Sequence, residues 1–450
     1  VWAFRDLVRD RPTICLPDDH DVYHGNLWGA GGIRAEGPLR PLGDNGGYIM
    51  PPEFVNAVHR TQTSHLPDPV DPAPVEQGIS VYTTDLLYGG VSFGVLADRQ
   101  WKDSASVRVP EGKVVNGWFQ NRDFDPVHDA DVPGARLLGE RQEAFLERWA
   151  ADWAGGVQLK VLLSQTIFAN VATLPDEAAG DGVVPSRPLA EEGGYVEGDR
   201  MAADTDSNGW PQTARNRALR IARKGFPLHV AGDQHLPSLT HYGVDEWGDA
   251  PYAFCVPAVA NLWPRRWFPP EPGAGRAEGA PRYTGDFHDG FGNKVTVLAV
   301  ANPRKSGREP AALHDRMPGY GIVRLDKRSF SATCECWPRW AHPDAPGAVQ
   351  YTGWPVTLDL NECYGRTPVA RLPEIEVVGM EDPVVQVVDE LTGEIVYTVR
   401  RRESRFALPV FAQGDYTVRV GEPGTRRWRS VEHLRADEER ERPIRVELGG

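Results

Sequence analysis

The sequence predicts an α/β domain followed by a small β-sandwich, on three observations. Short apolar segments near residues 12–17, 91–96, 159–163 and 226–231 all turn polar at their carboxyl ends. The first, third and fourth of these follow helical patterns, which is the arrangement in which ligands collect at the carboxyl edge of a sheet. Beyond Leu372 the pattern changes to short strand-like runs, roughly 8 to 12 residues apart, as in a β-sandwich. With 450 residues, the chain is long enough for one large domain and a smaller one, expected at 1–372 and 373–450.

The elements follow in order. VWAFRDLVRD places apolar residues at 1, 4, 7 and 8, one face of an amphipathic helix. Pro12 to Pro17 reads as a strand that runs into Asp18, Asp19, His20 and Asp21. A Gly-rich stretch over residues 25–50 follows, with Trp28 and Tyr48 favouring an ordered loop. VSFGVLADRQW alternates at Val91, Phe93 and Val95, then becomes polar at Asp98 and Arg99. LLGERQEAFLERWAADWAGG carries Leu138, Gln142, Phe145, Leu146 and Trp149 on one helical stripe, and QLKVLLSQT follows as a strand stopping at Ser164 and Gln165. The next helix starts near Pro211 and ends near Gly225, and the strand behind it gives way to Asp233 and His235. From Tyr252 to Arg371, short strands and Pro-rich loops predict a second sheet packed on the first.

Composition narrows the function. The formal charge is −14, which argues against general binding to nucleic acid or anionic membrane, though not against a small anionic substrate in a local positive pocket. No apolar run approaches the ~20 residues that span a bilayer. Cys15, Cys255, Cys334, Cys336 and Cys363 form no zinc pattern. The phosphate-binding G-x-x-x-x-G-K-[ST] does not occur, and the one G-x-S-x-G match, GVSFG at 90–94, lies within the alternating strand pattern and not at a strand-to-helix turn, so serine-hydrolase and P-loop chemistry are not indicated.

The chemistry on offer is metal-assisted. Carboxylates and imidazoles are ligands for hard or intermediate cations, and DDHD delivers several from one strand end. GDQH delivers Asp233 and His235 from another, where a two-residue spacing in extended chain would point both side chains the same way. Gln165 offers an amide oxygen at a third strand end. Arg99 and Arg215 are candidates to clamp phosphate oxygens bidentately, although Arg217, Arg220 and Arg223 also suit a solvated helix face around Arg215.

Taken in order, CLPDDHDVYHGNLWG, VLADRQWK, LLGERQEAFLERWAADW, KVLLSQTIFANVAT, DSNGWPQTARNRAL and VAGDQHLPSL resemble the metallophosphatase domain of the alkaline phosphatase D (PhoD-like) family, of the calcineurin-like phosphoesterase superfamily, over roughly residues 1 to 330. The resemblance implies a four-layer sandwich with two mixed sheets between helices and a metal centre at the strand ends. It implies Asp19, Asp233 and His235 as metal ligands, with His20 as proton donor or transition-state stabiliser. Ser164 and Gln165 fall where relatives place a ligand histidine. The metal is Ca, Fe, Mn or Zn, its identity open. The family's first two motifs should precede the DDHD segment, so an N-terminally incomplete domain and an export signal upstream of residue 1 are expected, with a secreted, periplasmic or cell-surface location. The expected activity is hydrolysis of phosphate mono- or diesters by metal-activated water, on a small phosphoester substrate. The alternatives are hydrolysis of another ester class at the same centre, or a non-catalytic surface-binding scaffold derived from a metallophosphatase.

Overall fold

The computed structural model describes residues 5–36, 42–191, 193–260, 263, 265–437 and 442–449. Its centre is an eight-stranded mixed sheet, in the order 84–88, 91–95, 159–166, 228–232, 252–255, 238–242, 294–300, 285–288. The strands Val91–Val95, Leu159–Thr166, Leu228–Gly232 and Tyr252–Cys255 run parallel, and antiparallel strands flank them. Val95 pairs with Leu163 and Leu163 with Val230, so the three strand ends that carry Arg99, Gln165 and Asp233 lie side by side.

Alternation along the strands explains the layers. Leu162, Ala231 and Ala253 face the helices Gly139–Ala151 and Gln212–Arg223, whose Phe145, Leu146, Ala218 and Ile221 join the same apolar cluster. The expected stripe Gln142, Phe145, Leu146 and Trp149 is buried as a set. Gly94 lets the Trp149 ring lie against the sheet: a Cβ there would fall 2.8 Å from Trp149 Cε2. Val161, Leu228 and Phe254 face the other way, into a core shared with the three-stranded sheet 319–326, 331–338, 356–359. A four-stranded sheet (395–400, 384–389, 415–421, 428–435) and a three-stranded one (405–406, 375–378, 444–447) complete that core through Val385, Val418, Ile375 and Val446.

The protein is thus mixed α/β with several sheets, and it departs from the expectation in particular places. Residues 12–17 form no strand. Pro12 and Pro17 remove two ladder donors, and the segment is held instead by side chains, with His65 Nε2 on Thr13 O at 2.5 Å and Gln165 Nε2 donating to Pro17 O. The strands at 252–255, 285–288 and 294–300 extend the main sheet, while those at 319–326, 331–338 and 356–359 make a separate three-stranded one. Of the opening helix, Arg5–Arg9 is helical with Val8 exposed, while Val1 and Phe4 lie outside the described residues. Among the described residues no helix is long and apolar enough to cross a membrane. The five cysteines are free thiols.

Candidate metal centre

The parallel strands end at an acidic cleft of about 280 Å³, lined by Asp18, Asp19, His20, Asp206, Asp233 and His235, with Asp181 and Arg265 on its far wall. Each group is placed by local backbone chemistry. Asp19 caps a short 3₁₀ turn, His20–Val22, with Oδ1 accepting from His20 N at 2.8 Å. Asp18 Oδ1 accepts from Asp19 N and Asp21 Oδ2 from Asp18 N, both at 2.9 Å, so the acids order their own turn. His20 is left with its side chain 80% exposed and Nε2 4.0 Å from Asp19 Oδ2.

The GDQH segment is not extended. Asp233 and His235 both have left-handed backbone angles, φ 64° and 57°, and Gln234 N donates to Gly232 O at 2.7 Å. Non-glycine residues held there store strain of about 1–3 kcal/mol each, a feature that clusters at functional sites. Both side chains nonetheless line the cleft, through the turn and not through extended alternation. His235 Nδ1 lies 2.9 Å from Trp263 O; a carbonyl only accepts, so Nδ1 carries the proton and the lone pair of the neutral ring is on Nε2.

Arg99 is the buried counter-charge. It is 1% exposed, donates to Asp206 Oδ1, reaches Asp233 Oδ2 at 2.5 Å, and shares Thr166 Oγ1 with Asp233. Burial opposes its charge, but Asp206 and Asp233 prevail and hold its pKa well above the ordinary value. This differs from the expected phosphate clamp, because the guanidinium is already committed to protein carboxylates. Arg265 plays the matching part across the cleft, ion-paired with Asp204 and lying 3.6 Å from Asp181 Oδ2 and 3.9 Å from Asp206 Oδ2. Lys102, fully buried, fixes the loop that carries Asp206 through bonds to Asp206 O (2.9 Å) and Ser207 O (2.8 Å).

Two guanidiniums do not balance these acids. Asp18, Asp19 and Asp233 each bring a ligand oxygen within 4.8 Å of the others. Burial first, then neighbouring carboxylates, pushes Asp18 well above the carboxylate range and Asp19 up to about 9. Burial also works against Asp233, yet Arg99 and Arg265 keep it down at about 2. The donor set fits a hard cation: three carboxylate oxygens converge where two of them resist ionising without a positive partner. The buried Gln165 Oε1 has no hydrogen-bond partner, while its amide nitrogen is spent on Pro17 O.

Of the residues singled out in the sequence, the structure brings Asp19, Asp233, His20 and His235 together. Gln165 stands one strand away, bonded to the segment that carries Asp18 and Asp19. Arg215 is not at the cleft: it is fully buried with donors on Phe168 O at 2.9 Å and Gly243 O at 2.7 Å. Helix position explains this, since Ala214, Arg215, Ala218 and Leu219 all face the sheet rather than solvent. The Gly-rich loop contributes Gly25 and Asn26, anchored by buried Trp28 and Tyr48 and by His24 Nε2 accepting from Ile49 N at 3.1 Å. Asp181, Asp206 and Arg265 were not singled out. DTDSN, residues 204–208, was the available signal for Asp206: a polar run directly ahead of a helix.

No family model matches the sequence, and no curated protein matches it. A solved structure of PhoD is similar to it with a TM-score of 0.40 and 14% identity, covering 77% of this chain and 52% of that one. The chain therefore spans about half the length of that structure. The functional conclusion rests on the cleft itself.

Proposed function

We propose that the chain is a metal-dependent phosphoesterase that hydrolyses phosphate mono- or diesters at the acidic cleft. The observation that carries this reading is the convergence of Asp18, Asp19 and Asp233 within 4.8 Å, beside an exposed imidazole. These carboxylates, with His235 alongside, are the groups that would hold a cation. A cation there supplies Lewis acidity to the phosphoryl group and to an attacking water. The chain's own residues do the rest. His20 donates a proton to the leaving oxygen or holds an anionic one. Arg265, itself steadied by Asp204 and Asp181, contributes positive charge on the cleft wall. Arg99 keeps Asp233 ionised. The proposal treats 1–372 as the phosphoesterase unit and 373–450 as an accessory β unit.

The test is elemental analysis of the purified protein with hydrolysis of p-nitrophenyl phosphate and bis-p-nitrophenyl phosphate. Asp19→Asn should lose bound metal and activity together. His20→Ala should retain metal and lose roughly 100- to 10,000-fold in turnover, as for removal of a general acid. A metal-free wild type inert to both esters would leave the cleft as a binding or structural feature and sink the proposal.

A further inference from the structure

A second cavity lies behind the cleft, with the opposite charge. It has a volume of about 240 Å³ and is lined by Trp118, Phe119, Phe124, Arg122 and Arg200, with Asp176 as its carboxylate. Phe119 and Phe124 stack with centroids 4.9 Å apart and planes 25° from parallel, giving the cavity a flat apolar wall. The arginines are held at its rim through backbone carbonyls. Arg122 donates to Asp176 O at 3.0 Å, and Arg200 to Ala178 O at 2.8 Å and Met201 O at 3.2 Å.

Among the described residues neither guanidinium has a carboxylate partner. Arginines bordering the other large cavities do: Arg136 pairs with Asp103, Arg141 with Asp71 and Arg217 with Glu143. Burial, and then the neighbouring Arg122, makes the charge on Arg200 harder to hold. Two guanidiniums that repel each other beside a stacked aromatic wall are complementary to an anion with a flat apolar body. The volume falls below the ~300 Å³ at which pockets begin to hold drug-sized ligands, so a single ring with its anionic group is the size class.

We propose that this cavity is a binding site for a small aryl anion, such as an aryl phosphonate, and that it is separate from the acidic cleft. Trp118 is the partition. Its indole borders the cavity on one side, and the Arg265 guanidinium, which lines the cleft, stands 5.6 Å from its ring centroid. Trp118 is also bridged to Asp204, and Thr205 N donates to Gly117 O at 2.8 Å, so the wall is part of the fold.

The experiment is titration calorimetry of the full chain in EDTA, which removes any contribution of cleft metal, with phenylphosphonate and with inorganic phosphate as probes. Saturable one-site binding of phenylphosphonate, at least ten-fold tighter than phosphate, is expected. Arg122→Gln and Arg200→Gln should each weaken it ten-fold or more, and Asp19→Asn should bind like the wild type. Arg122 is exposed, so its variant carries the test if Arg200→Gln does not fold. Absence of saturable binding, binding that survives the Arg122→Gln substitution, equal affinity for both probes, or loss in Asp19→Asn would each overturn the proposal. Because metal is absent throughout, the result is independent of whether the cleft is a phosphoesterase centre.

Discussion

Arg99 and Arg215 are both buried almost completely, and both look in the sequence like phosphate clamps, yet they sit in opposite surroundings. Arg99 is ringed by carboxylates, which hold its charge more firmly than water would. Arg215 meets carbonyls at Phe168, Gly243 and Lys294, the Asn216 side chain and the face of Tyr242; burial brings its pKa down to about 10. The first is a counter-ion for a site. The second is a clamp joining loops across the helix-covered face of the sheet. The same side chain thus marks function or framework according to whether its partners carry charge or only dipoles.

The largest effect should come from breaking the charged member. Arg99→Met leaves Asp206 and Asp233 buried without their cation and should cost about 3–5 kcal/mol in urea unfolding. Stability equal to wild type would mean the carboxylates are neutral in the folded state, and the contrast would dissolve. Arg215→Met strands dipoles rather than charges, so a loss of about 1–3 kcal/mol is expected, with kcat of the folded fraction unchanged. A fall in kcat with stability intact would place Arg215 in the chemistry after all.

A subtler test lies beneath the cleft, where Ser164, His229 and Tyr242 form a buried chain. Ser164 Oγ donates to Thr166 O and lies 2.7 Å from His229 Nε2, and His229 Nδ1 lies 2.9 Å from Tyr242 Oη, which accepts from Phe168 N. The chain is satisfied with a neutral ring, and burial holds His229 down to about 3. In the unfolded chain it protonates near the ordinary 6.5. Its contribution is therefore fully present above 6.5 and is lost as pH falls from 6.5 toward 3, amounting to about 2 kcal/mol at pH 5. In His229→Gln, the slope of unfolding free energy against pH in that window should flatten by about one proton. An unchanged slope would show that the ring does not titrate on unfolding.

The helix at 139–151 was legible because one stripe buries Phe145, Leu146 and Trp149 against the sheet, and one-sided burial of a helix shows in the sequence as apolar spacing. Sheet membership was not: Tyr252–Cys255 and Lys294–Val300 are short apolar strands that would suit either sheet, and pairing with Leu228–Gly232 and Ser238–Tyr242 decides between them. At the cleft, Asp19, Asp233 and His235 announced themselves as costly groups where apolar runs stop. Asp206 and Arg265 come from irregular segments and Asp181 opens a short 3₁₀ helix, where no period marks direction, and only the folded chain brings Asp206 to Arg99 and Arg265 to Asp181 and Asp206. Arg215 misled because its basic neighbours hid an inward-facing position.

The apolar cluster that begins at Val91 and Val161 runs without interruption to Val446 and Leu448. Arg400 Nε donates to Val157 O at 2.7 Å, Arg402 to Gln158 O at 3.1 Å, and Thr398 N to Lys224 O at 2.9 Å across the same boundary. The consequence is cooperativity: with a contact this apolar, the carboxy-terminal sheets and the eight-stranded sheet should melt as one thermal transition rather than two. A protease that nicks the chain near residue 372 would then not release an independent body, but leave Trp153, Phe226 and Phe330 without part of their cover.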